Sequence, residues 1–286
     1  MKTKPTPYFL LLPALTMFTL AILVPAVEVV RLSFYETNLM SSEFVGLRNF
    51  AAIATDRRWL KAFVNSFVYV GMIVPVQIAG GLSIALLAAG LRKWAQDYIR
   101  FVVYIPIFSA GIIIASAWKW LWNYRYGLVN WVIAGFGVRP IMWLGHRFPA
   151  MFVISIAMVT TTVGFYVVMF LAAILAIPKE LYAAAQIDGA SAAQIRRRIV
   201  IPIISPTIAM LSMFCMIATM QIWETIYLMT AGGPIGGSAN LMYDVYTTGI
   251  VGSRYGVASA KTVVLILIVL TMAKLKRRAE NHVAGS

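Results

Sequence analysis

Long apolar stretches alternate with short polar segments along the whole chain, and six of the stretches are long enough to cross a membrane. A transmembrane helix needs about 20 largely apolar residues. The six candidates are residues 8–30, 63–89, 101–118, 151–177, 203–229 and 257–273. Prolines lie inside or beside several of them, which membrane helices tolerate when neighbouring helices satisfy the freed carbonyl groups. The pattern therefore predicts an all-α, polytopic membrane protein with six spans.

A long polar, charge-bearing segment in the second half of the chain, Glu180–Pro202, predicts a helix–turn–helix between the fourth and fifth spans. Ala183–Ala185 continue a short helix, and Gly189 ends it because glycine tolerates the left-handed turn found at helix ends. Ser191 is placed to cap a second short helix, with Arg196–Arg198 in its last turn. The final proline closes that helix and opens the next. Such a knob between spans is suited to docking a soluble partner.

This segment resembles the cytoplasmic loop of ABC-importer permeases, whose pattern reads E-A-A, three residues, G, nine residues, I-x-L-P. The matching residues here are Ala184, Ala185, Gly189, Ile199 and Pro202. Two positions depart from the pattern, because Ala183 stands in place of the glutamate and Ile201 in place of the leucine. The resemblance implies a docking segment over about residues 178–202.

Further stretches are similar to the binding-protein-dependent sugar importers of the maltose, trehalose and glycerol-phosphate type. They are Leu181–Tyr182, Asp188–Ala190, Phe44–Leu47, Gly232–Pro234 and Tyr255–Ala260. The resemblance covers nearly the whole chain, so residues 1–286 are interpreted as one transmembrane permease domain. It implies a subunit that moves a sugar, oligosaccharide or polyol-type solute.

The same resemblance implies the partners. They are a second homologous permease, two ATPase subunits that hold ATP and Mg²⁺, an extracytoplasmic solute-binding protein and the lipid membrane. The predicted ATPase contacts are Glu180, Leu181, Tyr182, Ala183, Ala184, Ala185, Asp188, Gly189 and Ala190. Glu180 can replace the carboxylate missing at Ala183, or the contact is purely apolar; both interpretations stay open.

Polar residues inside the fourth and fifth apolar stretches indicate a transport pathway, because such residues are costly in lipid and usually face a bundle interior or a water-filled cavity. Thr160–Thr162 lie in the fourth span, and Thr219, Trp223 and Tyr227 would share one face of the fifth span as a continuous helix. The threonines are equally consistent with helix packing. Positions counted outward from the docking segment, as the resemblance implies, predict the pathway residues Thr161, Thr162, Phe165, Thr219, Ile222 and Trp223. Glu224 is added because a carboxylate inside an apolar stretch favours a pathway.

Composition agrees with a membrane protein and argues against other classes. Of 286 residues, 61% are hydrophobic and 12% are charged, whereas about a quarter of the residues in a soluble domain are charged. The net charge of +14 is attributed to basic residues that flank spans, and no nucleic-acid partner is expected because no basic stripe on a soluble fold is present.

Enzyme chemistry is not expected in this chain. Residues 256–262 fall short of a phosphate-binding loop because its second glycine is missing. Cys215 lies in an apolar stretch, and His146 and His282 lie in separate loops without partners at metal-ligand spacing. We therefore predict no catalytic residues, no metal site and no cofactor in this chain, with ATP hydrolysis confined to partner subunits.

Basic clusters predict the orientation. Arg196–Arg198 and Lys274–Arg278 lie in short segments that the positive-inside rule assigns to the cytoplasm. Both termini are then cytoplasmic, and the resemblance implies the inner membrane of a prokaryote. The first stretch is too long for a cleaved signal peptide, so we expect an uncleaved span.

Two alternatives remain. An amino-acid or peptide importer permease would need a fixed charge, for which Glu224 is the candidate. A secondary transporter would need no ATPase and would usually show an internal repeat, which the sequence lacks.

Overall fold

The computed structural model describes residues 6–37, 40–109 and 111–284. Side chains are described over residues 11–37, 40–109 and 111–276, so those of Arg277, Arg278 and His282 lie outside this account. Apart from connecting turns and loops, the described residues form helices and one short hairpin. Five helices are long and apolar enough to cross a membrane, and a sixth span exists if the interrupted pair Lys93–Phe108 and Gly111–Leu121 counts as one. The predicted six-span, all-α architecture is confirmed.

In chain order, the helices are α1 (Thr6–Phe18), α2 (Val24–Leu32), α3 (Arg48–Thr55), α4 (Arg57–Ala89), α5 (Lys93–Tyr104), α6 (Gly111–Leu121), α7 (Leu128–Gly135), α8 (Arg147–Leu175), α9 (Lys179–Ile187), α10 (Ala192–Ile195), α11 (Ile201–Met220), α12 (Glu224–Thr230), α13 (Leu241–Tyr246) and α14 (Tyr255–Ala284). The strands are β1 (Tyr35–Thr37) and β2 (Ser42–Phe44). Short 3₁₀ turns occupy Ile105–Phe108 and Trp143–Gly145, and π-helical turns occupy Thr19–Leu23, Arg196–Val200 and Thr247–Val251.

The chain divides into two compact units, of which the first comprises residues up to Leu60 together with Asp244–Thr271. In this unit α1 continues through a π-helical turn into α2, and the side chains of residues 11–27 are all exposed, as suits a helix surrounded by lipid. Strand β1 pairs antiparallel with β2, with Tyr35 opposite Phe44. The buried Asn49 of α3 donates hydrogen bonds to the carbonyls of Ser33 (3.0 Å) and Tyr35 (2.8 Å), which fixes the chain entering the hairpin.

The second unit comprises Lys61–Tyr243 and the residues from Met272 onward. Its core is centred on α8, which packs against α5, α6, α11 and α12. Met151, Phe170 and Leu171 of α8 are fully buried. Glycine permits a close approach between α4 and α8, because a Cβ placed on Gly81 would lie 2.8 Å from the Cβ of Tyr166. Small residues at helix contacts are the usual means of close packing in membranes.

The segment after α12, residues 231–240, is fastened to the start of α4. Asn65 donates from its amide to the carbonyls of Gly237 (3.0 Å) and Ala239 (2.7 Å), and its own oxygen accepts from Arg147 at 2.8 Å. The buried Tyr69 hydroxyl donates to the Ser238 carbonyl at 2.9 Å. The turn predicted at Gly232–Pro234 is therefore part of a loop whose carbonyls are satisfied by buried side chains.

Two predicted spans are interrupted in the structure. The third stops at Tyr104, because Pro106 lies in a 3₁₀ turn, cannot donate a helical hydrogen bond and disfavours helix at the residue before it. The prediction that the fifth span continues to residue 229 is wrong. Helix α11 ends at Met220, whose carbonyl accepts from the buried Asn240 amide at 3.4 Å, and α12 begins only at Glu224.

Candidate functional site

The docking segment, residues 178–202, has the predicted helix–turn–helix form. Helix α9 runs from Lys179 to Ile187, and Gly189 adopts a left-handed conformation with φ of +75°. The Ala190 amide donates to the Ala185 carbonyl at 2.9 Å, which closes the end of α9. Ser191 and Gln194 form a reciprocal capping box at the start of α10.

One detail of the predicted segment is wrong, because Pro202 does not close a helix. Helix α10 continues through the π-helical turn Arg196–Val200 into α11, and the Ile201 amide donates to the Arg196 carbonyl. Pro202 has no N–H for the carbonyl four residues earlier, and the widened turn accommodates this without ending the helix. Residues 192–220 are therefore one continuous helix that joins the docking segment to the fifth span.

One side of the docking segment packs against the rest of its unit, and the other side is exposed. Ala185 and Ile195 are buried, and Tyr182 and Ala190 pack against the core of the second unit. Burial raises the pKa of the Tyr182 hydroxyl. On the other side Ile187 is 87% exposed, and Leu181, Ala183, Ala184, Asp188 and Gly189 are also exposed. Ala183, Ala184 and Ile187 lie on successive turns of α9, and adjoining exposed apolar side chains of this kind are typical of a protein contact surface.

The departure at Ala183 lies one helical turn after Glu180. Both residues are exposed on α9, and Glu180 occupies its first turn. Residues three apart on a helix lie on neighbouring parts of its surface. A carboxylate at Glu180 therefore reaches the region that a carboxylate at 183 would occupy.

The threonines of the fourth span use their hydroxyl groups within their own helix. Thr161 donates to the Ala157 carbonyl at 2.6 Å, and Thr162 donates to the Met158 carbonyl at 2.8 Å. Both side chains are half-buried in α8. Phe165 makes an edge-on contact with Tyr166, with ring centroids 5.4 Å apart. These bonds agree with the packing interpretation, yet each oxygen keeps acceptor capacity for another donor.

The predicted pathway residues of the fifth span are spread over two helices. Thr219 is buried near the end of α11 and donates to the Cys215 carbonyl at 2.7 Å, and Ile222 is buried in the break. Trp223 and Glu224 are half-buried at the start of α12. The expectation that Thr219, Trp223 and Tyr227 share one helical face is wrong, because the helix is interrupted between the first and second of them.

Helix α12 packs against both α6 and α8. The Thr225 hydroxyl lies 3.4 Å from the Met158 sulfur, and the Glu224 carboxylate faces Gly111, where an added Cβ would lie 3.2 Å from an oxygen of that carboxylate. Met158 also holds the Thr162 hydroxyl through its carbonyl. The start of α12 thus lies beside the threonine stretch of α8, in agreement with the expected neighbourhood of the two spans.

Gln77 of α4 is a polar residue of this region that the sequence interpretation missed. It is fully buried and donates to the Thr162 hydroxyl at 2.9 Å, while its side-chain oxygen has no hydrogen-bond partner among the described residues. The sequence does carry a signal for Gln77, because an amide within a long apolar stretch is costly in lipid, as are the threonines of the fourth span.

A second missed feature is a buried ion-pair cluster in the first unit, which we call the lysine cluster: Lys261, Asp244, Asp56 and Thr248. Lys261 is 3% exposed, and its ammonium group lies 2.5 Å from Asp244, 3.0 Å from Asp56 and 3.1 Å from the Thr248 hydroxyl. The cluster borders a cavity of about 390 Å³. Partial burial favours the neutral form of Asp56, but Lys261 and two backbone amides outweigh it and lower its pKa.

No group of three histidine, cysteine, aspartate or glutamate residues suited to a metal ion occurs in the part of the chain that the structure describes. The candidate site therefore consists of an exposed docking helix and a set of hydroxyl, amide and aromatic groups around α8, α11 and α12.

Comparison with known proteins decides the family. Residues 49–281 match the family described as "Binding-protein-dependent transport system inner membrane component". The chain belongs to this family. It is 34% identical over 271 residues, 92% of this chain and 90% of the relative, to the trehalose/maltose transport system permease protein MalF of Thermococcus litoralis. It is 30% identical over 267 residues, 91% and 85% of the two chains, to the sulfoquinovosyl glycerol transport system permease protein SmoG of Agrobacterium fabrum.

The fold of the chain also matches a solved transporter. A chain of a bacterial alginate ABC transporter, crystallised in complex with an alginate pentasaccharide-bound periplasmic protein, superposes with a TM-score of 0.84. The match covers 97% of this chain and 94% of that one at 21% identity. The fold is therefore that of an ABC-importer permease, and the relatives are transport permeases rather than enzymes.

Proposed function

We propose that this permease carries a sugar, oligosaccharide or polyol-type solute across the cytoplasmic membrane and is driven by ATPase subunits that dock on residues 178–202. The solute class is supported by the names of the relatives, which are permeases of a trehalose/maltose and a sulfoquinovosyl glycerol transport system. The ATP-driven mechanism is supported by one structural observation above all. Helix α9 packs against the protein through the buried Ala185 and leaves Ile187 exposed on its other side, where a partner can bind.

The continuous helix of residues 192–220 supplies the mechanical link. ATP and Mg²⁺ would bind in the partner ATPases, and closure of those subunits would displace α9. Because α10 runs without interruption into α11, and only three residues separate α8 from α9, the displacement acts directly on the fourth and fifth spans. Rigid-body movement of these spans then switches the access of the pathway between the two sides of the membrane.

The pathway would receive a neutral hydroxylated solute between α8, α11 and α12. Thr161 and Thr162 donate to backbone carbonyls, so they would act as acceptors toward the hydroxyl groups of a sugar. Phe165 and Trp223 would provide flat apolar surfaces for the C–H faces of the ring. Thr219, Ile222 and Glu224 complete the proposed lining.

A second homologous permease would form the other half of the pathway, and a solute-binding protein would deliver solute from outside. The exposed Arg196–Arg198 support a cytoplasmic docking segment by the positive-inside rule, and both termini would lie on the same side. The membrane would be the inner membrane of a prokaryote.

Glu224 supports the alternative of an amino-acid or peptide importer. Its carboxylate faces Gly111 next to the proposed pathway and could pair with a substrate ammonium group. In that case Glu224→Gln would abolish uptake of the charged solute. For a neutral sugar the same variant should retain most of the uptake.

Reconstitution tests the proposal. The permease would be assembled in proteoliposomes with its encoded partner permease, ATPases and binding protein, and uptake of radiolabelled maltose, trehalose and a mixture of amino acids would be measured. We expect uptake of one or both of the two sugars that depends on ATP. Uptake without ATP would support a secondary transporter, and uptake of amino acids alone would contradict the sugar class.

A further inference from the structure

Three arginines of the docking segment have side chains that are not paired with other described residues of the chain. Arg196, Arg197 and Arg198 lie in and beside the π-helical turn between α10 and α11, and all three are exposed. None of their side chains forms a hydrogen bond or an ion pair with any residue that the structure describes. Their guanidinium groups are therefore available to an external anion.

The three arginines face different surroundings. Arg196 and Arg197 line an open groove of about 440 Å³ together with Ser83 and Leu87 near the end of α4 and Ile201 at the start of α11. Among the described residues, no acidic side chain lines this groove. Arg198 instead borders a separate cavity of about 320 Å³ on the side of Asp188 and Gly189.

The walls of the groove are apolar and exposed. Leu87 is 68% exposed and Ile201 is 37% exposed, and both belong to helices long enough to cross a membrane. A neighbouring cavity of about 470 Å³ shares Arg196 with the groove and adds Lys179 beside the apolar side chains of Leu175 and Val200. The surface is therefore hydrocarbon-like along the spans and basic where the spans meet the docking segment.

We propose that Arg196 and Arg197 bind the head group of an anionic phospholipid whose acyl chains lie along Leu87 and Ile201. Basic pockets between transmembrane helices at a membrane surface are suited to such head groups. An amphiphile matches both parts of the groove, because its head group would meet the two arginines and its acyl chains would meet the exposed apolar walls. An acidic protein surface would account only for the cations.

The site has a mechanical consequence. Arg196 and Arg197 lie on the continuous helix that joins the docking segment to the fifth span. A lipid bound there would favour one position of the helix of residues 192–220, which is proposed to transmit movement from the docking segment to the fifth span. We therefore expect anionic lipid to change ATP-driven uptake as well as to bind.

Native mass spectrometry of the assembled transporter tests binding. The complex would be incubated with dioleoylphosphatidylglycerol or dioleoylphosphatidylcholine, which share their acyl chains. Each basic side chain near an anionic surface strengthens association by about fivefold, so the two arginines predict a preference for phosphatidylglycerol of about 30-fold. The preference should be lost in the double variant Arg196→Gln, Arg197→Gln and kept in the matched control Arg198→Gln.

Three outcomes would overturn the proposal. Equal retention of the two lipids by the wild type is the first, and an unchanged preference in the double variant is the second. The third is removal of the preference by millimolar inorganic phosphate, which would assign the site to a soluble anion. If the double variant keeps its lipid preference but loses its ATPase subunits during purification, the arginines contact protein instead.

Discussion

The lysine cluster and the docking segment both contain several charged residues, but the charges are buried and paired in the first and exposed and unpaired in the second. Lys261 is almost fully buried and reaches two carboxylates and a hydroxyl group. Arg196–Arg198 are exposed, and the part of the chain that the structure describes offers them no partner. A buried charge must be paired within the protein, whereas an exposed cluster without partners is free to meet another molecule.

The difference teaches how to separate structural from functional charge in this protein. Substitution in the lysine cluster should damage the fold, because the remaining charges stay buried without compensation. Substitution in the docking segment should leave the fold intact and damage coupling to the partners. Variants at Lys261, Gly189 and Glu180 test this distinction, and a variant at Trp223 tests the pathway.

Lys261→Met should have the largest effect. It leaves Asp244 nearly buried without its partner at 2.5 Å, and the loss of one member of a buried pair costs about 3–5 kcal/mol. We expect little monodisperse protein by fluorescence-detected size-exclusion chromatography and a clearly lowered Tm. Arg198→Met removes an exposed charge and serves as the control, with a change within about 0.5 kcal/mol. Equal behaviour of the two variants would contradict the distinction.

Gly189→Val should show the opposite signature. A Cβ at Gly189 meets no atom within 4 Å, so the damage comes only from forcing a β-branched residue to a φ of +75°, at a cost of about 1–2 kcal/mol. ATP-driven uptake and solute-stimulated ATP hydrolysis should fall while membrane insertion survives. Gly189→Asn is the matched control, because asparagine tolerates the left-handed region, and it should retain uptake. Wild-type uptake by the valine variant would refute a role for this turn.

Trp223→Ala should reduce transport without uncoupling ATP hydrolysis from the docking segment. If the indole ring provides a stacking surface worth about 1.4 kcal/mol, uptake falls about tenfold, while ATP hydrolysis without solute is unchanged. Trp94→Ala, at a tryptophan that is 70% exposed on α5, is the control and should transport normally. A cysteine at 223 that never reacts with water-soluble thiol reagents, in inward- and outward-trapped states, would exclude a position in the pathway.

Glu180→Ala should have the smallest effect of the set. If Glu180 supplies the carboxylate missing at Ala183, its loss should reduce the stimulation of ATP hydrolysis by loaded binding protein about two- to fivefold, as expected for an exposed ion pair worth up to about 1 kcal/mol. Ala183→Ser should have no effect. Equal and negligible changes in both variants would mean that neither position carries the contact.

The same comparison explains how far the sequence could be interpreted. The docking segment was predicted almost completely because its signals are local: the alanine run, the turn at Gly189 and the cap at Ser191 act within a few residues. The lysine cluster was missed because Asp56 and Lys261 are 205 residues apart in the chain. No local pattern marks such a pair.

The fifth span shows a related limit. Its apolar composition continues past Met220, but the buried Asn240, 20 residues later, donates to the Met220 carbonyl where the helix ends. The shared face expected for Thr219 and Trp223 was lost for this reason. The assignment of the pathway residues stays a prediction, since it depends on the partner permease and the solute.

The most direct test of the central claim is site-specific cross-linking of α9 to an ATPase. Cys215 is the one cysteine in the sequence and is buried, so Cys215→Ser gives a cysteine-free background. Ile187→Cys, at a side chain that is 87% exposed, would carry a short photo-activated cross-linker, with Leu128→Cys on α7 as the exposed control. We predict a cross-linked product with the mass of permease plus ATPase at 187 and none at 128. Absence of that product at 187 in a transporter that still imports solute with ATP would contradict docking through this helix.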